Sequence, residues 1–286
     1  VAAPLLNVHT DRALWRAPYS DERSPAERYG VAAEEAFYRQ PALLERELAS
    51  LRPGTPGTVD VFFVGMAGYG GQDVFLREVE AVSRLFRERF DAEGRTIRLV
   101  NNRKSLLHLP IASRTSLDRS LGRVAEAMDR DEDVLVLFMT SHGSEDHRFA
   151  LDLRPFGFHE VDPPTVRELL DRSGIRHRVV IVSSCYSGGF LKALESPDTL
   201  VITASAPDRN SFGCTNEAEW TYFGKAYFDE ALRRTRSFAE AFELAAPAIA
   251  ARERAQDYDP SRPQMSLGSA IAGRLSMLQR RLEDAR

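Results

Sequence analysis

The run Val134–Met139 reads VLVLFM, apolar from end to end. A strand that is apolar on both faces has to be covered on both faces, which points to a parallel sheet enclosed by helices. Further strand signals lie at Val59–Val64 (VDVFFV), Thr96–Val100, Arg178–Val182 and Leu200–Ala204. They alternate with stretches whose apolar residues fall three and four apart: Asp73–Phe90, Ser116–Met128, Pro163–Arg172, Trp220–Arg233 and Ser237–Arg254. That spacing predicts amphipathic helices. Asp73 is placed to help cap the first, and Pro164 suits the first turn of the third. Strand–helix alternation of this kind predicts an α/β fold with a mainly parallel central sheet.

Residues 1–57 read differently. They are polar and broken by Pro4, Pro18, Pro25, Pro41, Pro53 and Pro56. Within them, residues 32–51 carry apolar residues at helical spacing, and Arg52–Thr58 (RPGTPGT) reads as a turn or linker. The expected division is therefore an N-terminal helical extension over 1–57 and one large α/β domain over 58–286. Lys and Arg number 38 against 42 Asp and Glu, a net charge of −4, so no nucleic-acid partner is expected. No apolar run approaches the roughly 18 residues that a membrane helix needs. Only two cysteines are present, Cys185 and Cys214. They exclude a disulfide scaffold and a four-cysteine zinc site, and leave either one disulfide or two free thiols.

In sheets of this type, active sites lie just beyond the carboxyl ends of the strands. The third strand closes in Thr140-Ser141-His142-Gly143-Ser144, and the fourth in Ser183-Ser184-Cys185-Tyr186-Ser187-Gly188-Gly189. Were these strands neighbours, a histidine and a cysteine would share one edge. A thiol becomes a nucleophile when a base takes its proton, and histidine supplies that base. The backbone N–H groups of Gly143 and Cys185 would be placed to stabilise an oxyanion. Tyr186–Lys192 is expected to begin a helix whose positive end favours a thiolate. Singly, either residue also fits a plain structural role: cysteine as a small core residue, histidine as a hydrogen-bonded strand end.

An apolar strand closing in His-Gly, then about forty residues on another closing in Cys, resembles the caspase-like clan of cysteine peptidases, and most closely the bacterial-type members of the legumain-like peptidase C13 family. FFVGMAGYGGQDVF resembles the family's first strand and substrate loop. TASAPDRNSFGC (Thr203–Cys214) resembles the loop after its fifth strand, and TYFGKAYF (Thr221–Phe228) the helix start that follows. The resemblance covers about 59–275. It implies a caspase-like three-layer α/β/α sandwich over 58–286, with Cys185 as nucleophile and His142 as general base and acid. It implies a peptide or protein substrate, a thioester acyl-enzyme, and no cofactor or metal. The family also includes transamidases, which pass the same acyl group to an amine, and the fold alone also suits an inactive binding module. Bacterial relatives carry membrane segments upstream, so a tether preceding these residues is an expectation from the resemblance. A disulfide from Cys185 would cap the nucleophile, so Cys214 is expected to be a free thiol.

The specificity pocket departs from the family. Legumain reads Asn or Asp through an arginine, an acid two residues before the cysteine, and an aspartate in the later helix. The matching positions here are Asp73, Ser183 and Lys225, with Ser211 on the bordering loop. Asp73 at the pocket base favours a basic P1 residue, while an Asp73–Lys225 pair would instead suit a neutral amide. Asp73 as a helix cap and Lys225 as a solvated side chain are the plain alternatives.

Three other chemistries fit poorly. Cys185-Tyr186-Ser187-Gly188-Gly189 lacks the glycine that a serine nucleophile elbow needs two residues before the serine. Gly68-Tyr69-Gly70 opens a dinucleotide fingerprint, but Asp73 stands at its third glycine and would repel a pyrophosphate. His142 and His147 lack the H-E-x-x-H spacing that places two ligands on one helix face, and His108, His159 and His177 are scattered.

Overall fold

The computed structural model describes residues 33–284, so expectations for residues 1–32 lie outside it. Six strands form one sheet in the order β2-β1-β3-β4-β5-β6: β1 (Val61–Ala67), β2 (Thr96–Val100), β3 (Val134–Thr140), β4 (Arg178–Ser183), β5 (Thr199–Thr203) and β6 (Gln264–Leu267). The first five run parallel, and β6 pairs antiparallel with β5 at the edge.

Side-chain alternation splits each central strand between two cores. Val134, Val136 and Phe138 of β3 face one side, with Val179 and Ile181 of β4. Leu135, Leu137 and Met139 face the other, with Val180 and Val182. The first core is closed by α2 (Asp73–Arg89), the helical stretch α6 at 222–234, α7 (Phe238–Ala255) and α8 (Ser269–Asp284). The second is closed by α1 (Ala33–Ala49), α3 (Arg114–Ala127), α4 (Pro163–Ser173) and α5 (Gly189–Leu194). Burying each of these apolar side chains contributes about 1.5–3 kcal/mol, so the sheet's position between the two layers is strongly determined. The architecture is the three-layer α/β/α sandwich expected from the strand pattern.

Four differences from the expectations have local causes. β1 continues through Gly65, because a Cβ there would lie 2.9 Å from the Phe63 ring and 3.0 Å from Val79: the glycine serves close packing, not a turn. The helix after Cys185 begins only at Gly189, since Tyr186 takes φ +55° and breaks the helical path. Residues 222–234 are not one regular helix: a π-helical segment, Lys225–Ala231, separates Tyr222–Gly224 from Leu232–Arg234. β6 and α8 add a sixth strand and a last helix. Helix α1 packs Leu44 and Leu48 into the second core, and Gln40 clasps the loop before α3 by donating to the Leu106 carbonyl (2.8 Å) and accepting from the Ile111 N–H (2.7 Å).

At the amino end of the sheet, away from the cysteine and histidine, Asp133 accepts the N–H groups of Asp60 and Asp129, both at 2.8 Å. Burial, reinforced by repulsion from Asp60 and Asp129, pushes its carboxyl up from 3.8 to about 6. The folded state therefore binds this proton more tightly than the unfolded state. The stability it contributes is complete below pH 3.8 and is lost as pH rises through about 6. Asp133→Asn is expected to flatten the slope of Tm against pH across that window, measured by circular dichroism melts; an unchanged slope would contradict the assignment.

Candidate active site

The register of β3 and β4 builds the site. Thr140 pairs with Ser183, and the Ser141 N–H donates to the Ser183 carbonyl at 3.1 Å. His142 and Cys185, each two residues further on, leave the same edge of the sheet. The approach there is close enough to demand glycine: a Cβ on Gly143 would lie 2.1 Å from the Cys185 carbonyl oxygen. The N–H groups of Gly143 and Cys185 have no hydrogen-bond partner among the described residues.

Cys185 is partly exposed and a free thiol. Its Sγ accepts the Ser211 N–H at 3.3 Å and donates to the Ser211 carbonyl at 3.5 Å. The turn that carries it is held from two sides. The Tyr186 N–H donates to the Arg209 carbonyl at 2.8 Å. His147 Nδ1 lies 3.1 Å from the Tyr186 carbonyl, and its ring fills the space a side chain on Gly189 would take. His147 is thus a brace for the turn, which explains a second histidine so near without metal spacing.

His142 is held by a residue that sequence reasoning missed. Its Nε2 lies 2.7 Å from Gln72 Oε1, while Gln72 Nε2 donates to the Cys214 carbonyl at 2.7 Å. The second bond identifies the near atom of Gln72 as its oxygen, so His142 Nε2 must be the donor. That tautomer leaves the lone pair on Nδ1. Tyr69 and Phe75 pack edge-on against the ring, at 4.6 and 5.3 Å between centroids. Burial holds the imidazole below its ordinary range, so it stands neutral near pH 7. One signal was available. Gln72 is the residue capping α2, a position that favours Ser, Thr, Asp or Asn, yet it makes no side-chain cap bond. Its amide is committed to His142 and Cys214 instead.

The residues expected to form the specificity pocket are more dispersed. Ser183 is buried, with Oγ 3.5 Å from Thr221 Oγ1. Ser211 meets Cys185 Sγ through its backbone, as described. Asp73 follows Gln72 as the first residue of α2, but its carboxylate is turned to Lys104 Nζ (2.5 Å) and Asn102 Nδ2 (3.0 Å), with Arg77 3.9 Å away. Lys104 and Asn102 hold the carboxyl below the usual range. Lys225 Nζ pairs with Asp229 one turn along its own helix, at 2.5 Å. Asp73 and Lys225 are therefore not partners of each other. Cys214 is also a free thiol, and burial pushes it up to about 12, so it stays protonated near neutral pH. Among the described residues, no group of three or more His, Cys, Asp and Glu side chains is arranged to hold a metal ion, and no helix is long and apolar enough to cross a membrane.

Set beside known proteins, residues 112–274 match the sequence profile of the Peptidase C13 family. No curated protein matches the chain. Among solved structures, caspase-1 from Spodoptera frugiperda superposes with a TM-score of 0.50 at 12% identity, over 73% of this chain and 86% of that one. Pro-sf-caspase-1 gives 0.51 at 11% identity, over 75% and 93%. These two likenesses concern the fold, which is caspase-like.

Proposed function

This chain belongs to the peptidase C13 family, a family of cysteine peptidases, and from that premise we propose that it hydrolyses peptide bonds with Cys185 as nucleophile and His142 as its base. Cys185 Sγ attacks the scissile carbonyl while His142 Nδ1 takes the thiol proton. The oxyanion that forms is met by the free N–H groups of Gly143 and Cys185. The C–N bond then breaks, His142 returns the proton to the leaving amine, and the acyl group remains on sulfur as a thioester. Water, deprotonated by the same Nδ1, releases the acid and restores the thiol. The observation that carries this reading is the Gln72–His142 bond, because it leaves Nδ1 basic at the edge where Cys185 emerges.

For the residue preceding the scissile bond, we propose a basic side chain read by Asp73. Asp73 adjoins Gln72 and is held ionised. Its shortest partner, Lys104, is 71% exposed, and an ion pair this open contributes only about 0–1 kcal/mol, so a substrate cation can displace it. A fluorogenic library varied at P1 tests both proposals. Cleavage after Arg or Lys is expected to lead, and Lys104→Ala to raise it several-fold by removing the competitor. Strong cleavage after Asn with none after Arg or Lys would refute the P1 proposal. No turnover with any member would refute the peptidase proposal.

A further inference from the structure

Glu78 has no part in the chemistry just described, yet it is wholly buried, with 0% of its surface exposed. A carboxylate in such a place is costly unless donors surround it. Three do. Thr140 Oγ1 donates to Oε2 at 2.7 Å, and Thr221 donates to Oε1 through both its N–H (2.8 Å) and its hydroxyl (2.7 Å). No lysine or arginine forms an ion pair with Glu78 among the described residues, and burial drives its carboxyl upward.

The origin of those donors matters more than their number. Thr140 is the last residue of β3, two before His142, and is paired in register with Ser183, two before Cys185. Thr221 caps the start of α6 by accepting the Gly224 N–H at 3.0 Å. The next N–H, of Tyr222, donates to the Phe212 carbonyl at 3.0 Å, and Phe212 follows Ser211, whose backbone flanks Cys185 Sγ. One carboxylate thus ties the strand that delivers the base to the segment that lies against the nucleophile. The tie is tight: a Cβ on Gly224 would lie 2.0 Å from Glu78 Oε1.

We propose that Glu78 is a positioning residue, which sets the spacing between the His142 turn and the Ser211 segment through Thr140 and Thr221. The proposal rests on the peptidase reading above. It divides the two threonines by role. The Thr140 link governs the base and so the chemical step, while the Thr221 link governs the segment along which the substrate lies.

The test is steady-state kinetics with the best fluorogenic peptide of the wild-type protein. Glu78→Gln, which keeps shape but loses one acceptor, is expected to lower kcat/KM about tenfold or more, as misplaced catalytic groups do. Thr140→Val should lower kcat with KM nearly constant, and Thr221→Val should raise KM with kcat nearly constant. Thr140→Ser and Thr221→Ser, which keep the hydroxyl, should restore each. Glu78→Gln combined with Thr140→Val should be little worse than Glu78→Gln alone, since both cut one link. If Glu78→Gln does not fold, the split between the two valine variants decides the matter. Unchanged kinetics in Glu78→Gln, or valine variants whose losses follow Tm without dividing between kcat and KM, would overturn the proposal while leaving the peptidase reading intact. An inactive wild-type protein would overturn both.

Discussion

Cys185→Ala is expected to lower kcat/KM for a peptide substrate by about 10⁴-fold or more, because no other group can form the thioester. The fold should survive. Cys185 is partly exposed, and its sulfur gives up only two weak contacts with the Ser211 backbone, at 3.3 and 3.5 Å. Their loss costs about 1 kcal/mol, a small part of a domain's stability. A melting curve close to wild type beside abolished turnover is the expected pair of results. Cys185→Ser tests the same point more finely, since a hydroxyl of similar size keeps the contacts but is a far poorer nucleophile. Turnover within tenfold of wild type in either variant would remove Cys185 from the mechanism.

His142→Ala should lower kcat by about 10²–10⁴-fold, the usual contribution of a general base, with little change in KM. Stability should fall by about 1 kcal/mol for the lost Gln72 bond. A much larger fall would favour a structural role for the ring. The wild-type pH profile carries a linked expectation. Burial lowers the His142 pKa, so the imidazole stays unprotonated below the ordinary value of about 6.5. The acid limb of kcat/KM should accordingly lie below that value. The sign for stability is the same: the unfolded state binds this proton more readily, so the contribution of His142 is present at neutral pH and is lost on acidification through its folded pKa. In His142→Ala that component of the pH dependence should vanish.

The architecture was legible because β3 and β4 are short runs apolar on both faces and alternate with amphipathic helical stretches, the pattern of a covered parallel sheet. The pairing of His142 with Cys185 followed from it, since each closes such a strand. What escaped has physical reasons. β6 (QMSL) is a short, half-exposed edge strand with no alternation to betray it. The π-helical segment in α6 is a tertiary accommodation, invisible to a reading based on helical period. The strand signal stops at Val64 because Gly65 has no side chain to extend it, yet that missing side chain makes room for Phe63 and Val79 and the strand runs on. Gln72 sat in the glycine-rich turn already matched to the family's substrate loop, yet an amide there is ordinary until its two partners are seen. Glu78 is a different case: three residues after Phe75 and four before Val82, it falls on the apolar face of α2, but only the fold shows the donors, Thr140 and Thr221, that satisfy a carboxylate there. For Asp73 and Lys225 the positions came from the family's pattern, and the fold supplies their partners: Lys104 and Asn102 for the first, Asp229 for the second.

Covalent labelling tests the central claim most directly. The protein is treated at neutral pH with a peptidyl acyloxymethyl ketone, and the adduct is located by peptide mass spectrometry in the wild type, Cys185→Ala and Cys214→Ala. The account predicts a single adduct on Cys185, lost in Cys185→Ala and retained in Cys214→Ala, because the half-buried Cys214 stays a protonated thiol. Equal labelling of the two variants, or an adduct on Cys214 in the wild type, would contradict it.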